Sequence, residues 1–220
     1  MKLKWIVVML LLLISTACTP QPSSIYDNDT PYYVAEMDIV PDNMILVESY
    51  SDEMDQGKHH YSSKEWGTFI VDPKDRKFAR GDVVYIRTPE YESKVNPNLD
   101  LPEYKILRIV GLPGEKLKIN KGKIYINNRL LDTFYGSVRK SGLNWEEYQK
   151  VVEERNLNPS LSKDSFEIDF PETKISNHSY FLKGDNWWRS VDSIQFGEVS
   201  EDNIIGKIIG YKKDELNRNP

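Results

Sequence analysis

Tyr104-Lys105-Ile106-Leu107-Arg108-Ile109-Val110-Gly111-Leu112-Pro113-Gly114-Glu115 is the densest structural signal in this chain of 220 residues. An apolar run rich in β-branched residues stops abruptly at Gly-Leu-Pro-Gly, which predicts a buried strand ended by a tight turn. Gly111 and Gly114 admit backbone angles closed to other residues, while Pro113 fixes one torsion and removes a donor. Leu117 to Ile119, a turn at Asn120-Lys121-Gly122-Lys123, and Ile124 to Asn128 with a period of two then predict a β-hairpin attached to that strand.

Outward from this centre the chain stays turn-rich and β-like. Asn43 to Tyr50, around Met44-Ile45-Leu46-Val47, reads as a strand, and Thr68-Phe69-Ile70-Val71 reads as another before the Asp72-Pro73 turn. Arg80 to Arg87 is a turn feeding a strand, where Gly81 turns the chain and Asp82 bonds nearby backbone donors. Residues 88–103, charged and proline-containing, form a surface loop. Leu143 to Leu157 puts apolar residues at 145, 148, 151 and 152 behind Asn144 as a cap, which predicts one amphipathic helix within an insertion over 133–170. Ser165 to Phe170 alternates like an edge strand, Tyr180-Phe181-Leu182 leads into a polar stretch, and Ile204 to Gly210 closes the domain as a last buried strand. No internal repeat is present.

A hydrophobic content of 39% is enough for a real core. The formal charge of −5, about −7 once Lys2 and Lys4 leave with a leader, argues against nucleic acid as a partner. Cys18 is the sole cysteine, which excludes an internal disulfide, and no Cys/His cluster has zinc spacing. His59 and His60 lie together in a polar loop and read as a solvated pair. Neither metal nor cofactor is called for. Residues 1–17 combine a basic start with an apolar run of leader length and read as an export signal. Residues 18–33 read as a flexible tether, with order beginning near Val34, and 214–220 as a tail.

Two resemblances sharpen these readings. Ile14-Ser15-Thr16-Ala17-Cys18, followed by Thr-Pro-Gln-Pro-Ser-Ser, resembles a bacterial lipoprotein processing site, which implies lipidation of Cys18; Ser15 stands where that pattern has leucine. An ordinary cleaved leader or a short uncleaved anchor is the alternative. Arg108-Ile-Val-Gly-Leu-Pro-Gly-Glu115 with Gly122-Lys-Ile-Tyr-Ile-Asn-Asn128 resembles the signal peptidase I family, membrane-bound Ser/Lys-dyad peptidases that remove secretory leaders. Gly184-Asp185-Asn186-Trp-Trp-Arg-Ser190-Val-Asp192-Ser193-Ile-Gln-Phe-Gly197 resembles that family's Gly-Asp-Asn-x-x-Asn-Ser-x-Asp-Ser-Arg-x-x-Gly segment, with Arg189 and Ile194 as departures. The resemblance spans roughly residues 40 to 213. It implies a mainly β domain of antiparallel sheets with a small α-containing insertion, at the extracytoplasmic face of a bacterial cell membrane.

The same resemblance implies a serine nucleophile, a lysine base, and a loop-clamping role for Gly184, Asp185, Asn186, Ser190, Asp192 and Ser193. The family's lysine falls on Leu107, which accepts no proton. Its Ser-Met-x-Pro-Thr stretch is best matched by Ser51 in Val47 to Met54, without the methionine, proline or threonine; Ser62 and Ser63 are alternatives by distance. Lys105 lies on the same strand face as Leu107 but roughly 6.6 Å along it. A catalytically impaired or inactive relative that binds secreted peptides or partner peptidases is the first expectation. An active peptidase with a relocated Ser51/Lys105 dyad is the second, and a non-enzymatic envelope lipoprotein in a protein complex is the third.

Overall fold

A computed structural model describes residues 23–91 and 101–213. The leader over 1–17, Cys18, the first part of the tether, residues 92–100 of the surface loop and the tail lie outside the described residues.

Two sheets organise the chain. The larger has seven strands in the spatial order β11 (Val199–Ser200), β10 (Ser179–Lys183), β5 (Tyr104–Gly111), β4 (Val83–Arg87), β12 (Ile204–Lys212), β3 (Thr68–Asp72) and β2 (Ile45–Val47), all antiparallel. The smaller has five: β1 (Ser24–Tyr26), β8 (Arg129–Asp132), β7 (Lys123–Ile126), β6 (Lys116–Asn120) and β9 (Phe170–Lys174). Among the strands of the described residues, only β1 runs parallel to its neighbour.

The decisive stretch is β5, and it is buried on both faces from Lys105 to Gly111. Ile106 packs into one apolar cluster with Val83, Phe69 and Ile208; Leu107 and Ile109 pack into a second with Val84, Leu182 and Ile204; Val110 reaches a third with Leu117, Ile124 and Phe181. Each such side chain contributes roughly 1.5 to 3 kcal/mol on burial, so this strand joins all three cores. The turn after it is built as its residues require. The Glu115 amide donates to the Leu112 carbonyl at 3.2 Å across Pro113 and Gly114, and Gly114 takes φ 80°. Gly111 is needed for a different reason: a β-carbon there would meet Ile175, Phe181 and Leu117 side chains within 2.4 to 3.2 Å. Asp82 behaves as expected, accepting from the Ala79 amide at 2.8 Å.

The predicted hairpin is β6–β7, with Lys121 and Gly122 both at positive φ, the requirement of a tight type I′ turn. Its second strand ends earlier than read. Asn127 and Asn128 also take positive φ and turn the chain into β8, a strand that sequence reading did not separate. The insertion carries α2 (Trp145–Glu154), with Asn144 and Glu147 forming the reciprocal capping box. Two readings are corrected. Residues 165–170 are not an edge strand: a 3-10 turn occupies Lys163–Phe166 and the strand follows as β9. The tether is ordered by Ser23, because β1 adds to the edge of β8 and Asp27 accepts from Tyr135. Among the described residues, no helix is long and apolar enough to cross a membrane.

Candidate functional site

Glu48, Ser49, Tyr50 and Ser51, just past the end of β2, line one open cleft of about 410 Å³ with Tyr85 and with Pro102, Glu103, Tyr104, Lys105 and Ile106. The two walls lie far apart in the strand order. Among the described residues, Tyr104 to Leu107 pair only with β4, since β10 meets β5 from Arg108 onward, so one edge of β5 faces this cleft.

Both residues of the expected dyad, Ser51 and Lys105, therefore border the same space, yet they are not joined. Lys105 Nζ lies 2.5 Å from Glu53 Oε2, with only 4% and 3% of the two side chains exposed. Burial pushes the Glu53 carboxyl above its ordinary range, and the Lys105 amine and Ile106 amide oppose that shift. Ser51 Oγ accepts a hydrogen bond from the Glu53 amide at 3.2 Å, a local turn of the kind short hydroxyl residues make. Leu107, where the resemblance puts a lysine, is fully buried in hydrocarbon. Ser62 precedes the short helix α1 (Ser63–Trp66), and Ser63 is tied to Ser49 in both directions: its hydroxyl accepts from the Ser49 amide at 2.8 Å and its amide donates to the Ser49 carbonyl at 2.6 Å.

The polar stretch 184–193 closes over the same region. Asp185 accepts from Arg108 Nε at 2.9 Å and Nη2 at 2.7 Å, a bidentate pair almost wholly buried, and takes a third bond of 2.7 Å from Gln56 Nε2. Burial alone would lower the Arg108 pKa; the charge and hydrogen bonds of Asp185 outweigh it and hold it above its ordinary value. The Asn186 amide donates to the Glu53 carbonyl at 2.9 Å. Asp192, at 0% exposure, accepts from Lys183 Nζ at 2.5 Å and the Gly184 amide at 3.1 Å, and caps α3 (Ser193–Phe196). Burial pushes the Lys183 amine down, against the pull of Asp192. Ser193 Oγ accepts from the Leu182 amide at 2.9 Å. Gly184 has no room for a β-carbon, which would meet Ser190 Oγ at 2.3 Å and the Glu53 carbonyl at 2.6 Å. The departures fit in: Arg189 pairs with Asp52 at 2.7 Å, and Ile194 packs against an apolar cluster.

The Ser190 hydroxyl is buried without a hydrogen-bond partner. Ser51, Lys105 and the 184–193 segment are legible in the sequence; Glu53, Gln56 and Lys183 are not. His60 reads as solvated from the sequence, whereas only 5% of it is exposed, with its ring stacked on Tyr33 and its Nδ1 accepting from the Gln56 amide. Among the described residues no group of acidic, histidine or cysteine side chains is arranged to hold a metal ion.

The sequence model of the family described as signal peptidase, peptidase S26, matches residues 3–211. The chain belongs to that family. Signal peptidase I U of Bacillus subtilis (strain 168) is 32% identical over 130 residues, covering 59% of this chain and 55% of that protein. Signal peptidase I of Buchnera aphidicola subsp. Baizongia pistaciae is 26% identical over 216 residues, covering 78% of this chain and 64% of that one. The chain spans between 50% and 64% of the length of the curated relatives it matches. A solved signal peptidase I from Enterococcus faecalis V583 superposes with a TM-score of 0.40 at 23% identity, over 60% of this chain and 97% of that one.

Proposed function

We propose that this signal peptidase relative holds extended secreted peptides without cutting them. The observation that carries the reading is the Lys105–Glu53 pair beside Ser51. A serine hydroxyl becomes a useful nucleophile only when a neutral base within about 2.6 to 3.2 Å takes its proton. The Lys105 amine is engaged by the Glu53 carboxyl rather than by the Ser51 hydroxyl, and Leu107 offers no lone pair at all. The orphaned Ser190 hydroxyl supports the same reading: the segment that, in the resembled family, supports the lysine here has a polar group left without a partner.

Loss of the base leaves the cleft itself intact. The Tyr104 end of the β5 edge opens toward Ser49–Ser51, next to the Ile106 amide that Glu53 occupies, which suits an extended peptide adding its main chain there. In this reading residues 184–193 are a clamp that fixes Glu53 and the cleft wall. The chain is exported by residues 1–17 and tethered to the extracytoplasmic face of the membrane, through Cys18 lipidation or a short anchor.

The purified protein, incubated in detergent with a leader-peptide substrate, is expected to bind the peptide and leave it whole. Turnover that Ser51→Ala abolishes would overturn the silence, and absence of binding would remove the peptide-holding role. A second reading, an active peptidase with a Ser51/Lys105 dyad, is favoured by the placement of both residues on one cleft. It requires that Lys105→Ala eliminate cleavage while Ser62→Ala spares it.

A further inference from the structure

The outward face of the small sheet differs in charge from the rest of the molecule. Alternation along β6 and β7 buries Leu117, Ile119, Ile124 and Ile126 and turns Lys116, Lys118 and Lys123 outward; Lys174 stands opposite Lys116 on β9. Among the described residues, the acidic side chains set against these lysines are Glu172, bonded to Lys116 at 3.3 Å, Asp132, and Asp169, which accepts from the Lys121 amide at the hairpin tip. The face is therefore basic on a protein of net charge −5. It also carries amphipathic rings: Tyr125 lies under Lys118 Nζ at 5.8 Å, and Tyr26, at the sheet edge, is 65% exposed.

Where the chain leaves the described structure adds an independent constraint. The Ser23 carbonyl accepts from the Leu130 amide, so the chain is fixed to the edge of this sheet from Ser23 onward. Residues 1–17 form the apolar leader stretch. The few residues between span at most roughly 17 Å when fully extended. A leader or lipid held in a bilayer therefore keeps this edge at the bilayer surface.

We propose that the outward face of the small sheet, centred on Lys116, Lys118, Lys123 and Lys174 with Tyr26 and Tyr125, docks on an anionic lipid bilayer. The lysines meet the surface potential, which acts within about a Debye length, and the tyrosines sit at headgroup level, where one end of the ring is apolar and the other wet. This inference rests on the membrane tether of the proposed function and not on its peptide-holding part, because no residue of the cleft takes part.

The full-length protein is reconstituted into vesicles of phosphatidylcholine alone or with phosphatidylglycerol, and its lysines are acetylated under limiting reagent. Lys116, Lys118, Lys123 and Lys174 should react several-fold more slowly in the anionic vesicles than in the neutral ones. Lys150, on α2 across the sheet, serves as the control and should react equally in both. Molar salt, or the Lys118→Glu/Lys123→Glu variant with an unchanged thermal midpoint, should abolish the protection of Lys116 and Lys174. Equal labelling in the two vesicle types would overturn the proposal, as would protection that survives salt and charge reversal.

Discussion

A lysine amine and a glutamate carboxylate 2.5 Å apart, with no more than 4% of either side chain exposed, depend on each other for their charge. Removing one partner of such a pair strands the other in low dielectric, whereas removing both with apolar replacements costs much less. Glu53→Gln should therefore lower stability by about 3 to 5 kcal/mol, and Glu53→Leu with Lys105→Leu should recover most of that loss. Urea denaturation of Glu53→Leu, Lys105→Leu and the double variant checks the coupling; additive losses would show that the ion pair carries none. Lys105 was legible in the sequence because it lies two residues before Leu107 on the same strand face. Glu53 was not. Nothing in Ser51-Asp52-Glu53-Met54 distinguishes it from a solvated loop acid, and its partner lies on a distant strand. Leu107 was legible only against the family pattern, since a leucine in a buried strand is otherwise unremarked.

The connection from Ser51 to α1 behaves as a built element rather than the polar loop its composition suggested. Asp55 Oδ1 accepts from the amides of Gly57, Lys58 and His60, and Gln56 reaches Asp185. Gly57, His59 and Tyr61 all take positive φ, and Tyr61 is 2% exposed, with burial raising its phenol to about 12. His60 gives this element a pH dependence. Burial lowers its pKa below 6.5, with Asp55 and Asp185 opposing and Lys58 and Arg108 assisting. Between the lowered value and 6.5 the folded state binds fewer protons than the unfolded one, so stability falls as pH drops through that window and is flat above it. From pH 7.5 to 5.5 the His60→Gln variant should lose less stability than the parent, a comparison that separates His60 from Glu53, whose raised pKa gives the opposite slope. Identical pH profiles by denaturant midpoint would refute it. Elements with local rules were read well: the Asn144 cap, the Lys121-Gly122 turn, the Pro113-Gly114 turn. Asn127-Asn128 held the same kind of turn signal and was missed because the alternating pattern ran into it.

Across the whole molecule, residues 23–37 link the two sheets. β1 lies along β8, Tyr32 stacks on Phe134, Tyr33 on His60, and Met37 and Ala35 bond to Tyr211 in β12. A chain starting at Val34, where composition alone places the domain boundary, should lose about 3 kcal/mol, or roughly 6 to 12 °C in Tm. An unchanged melting curve would restore the tether reading. The sequence concealed this strap because its contacts are long-range and its own residues are polar and proline-containing. The place of β12 has a further consequence: it fills the slot between β3 and β4, although it is the last strand along the chain. A polypeptide made from its amino end emerges with that slot vacant. Folding of the large sheet can finish only after residue 212 has emerged, so this sheet closes after synthesis of the domain rather than during it.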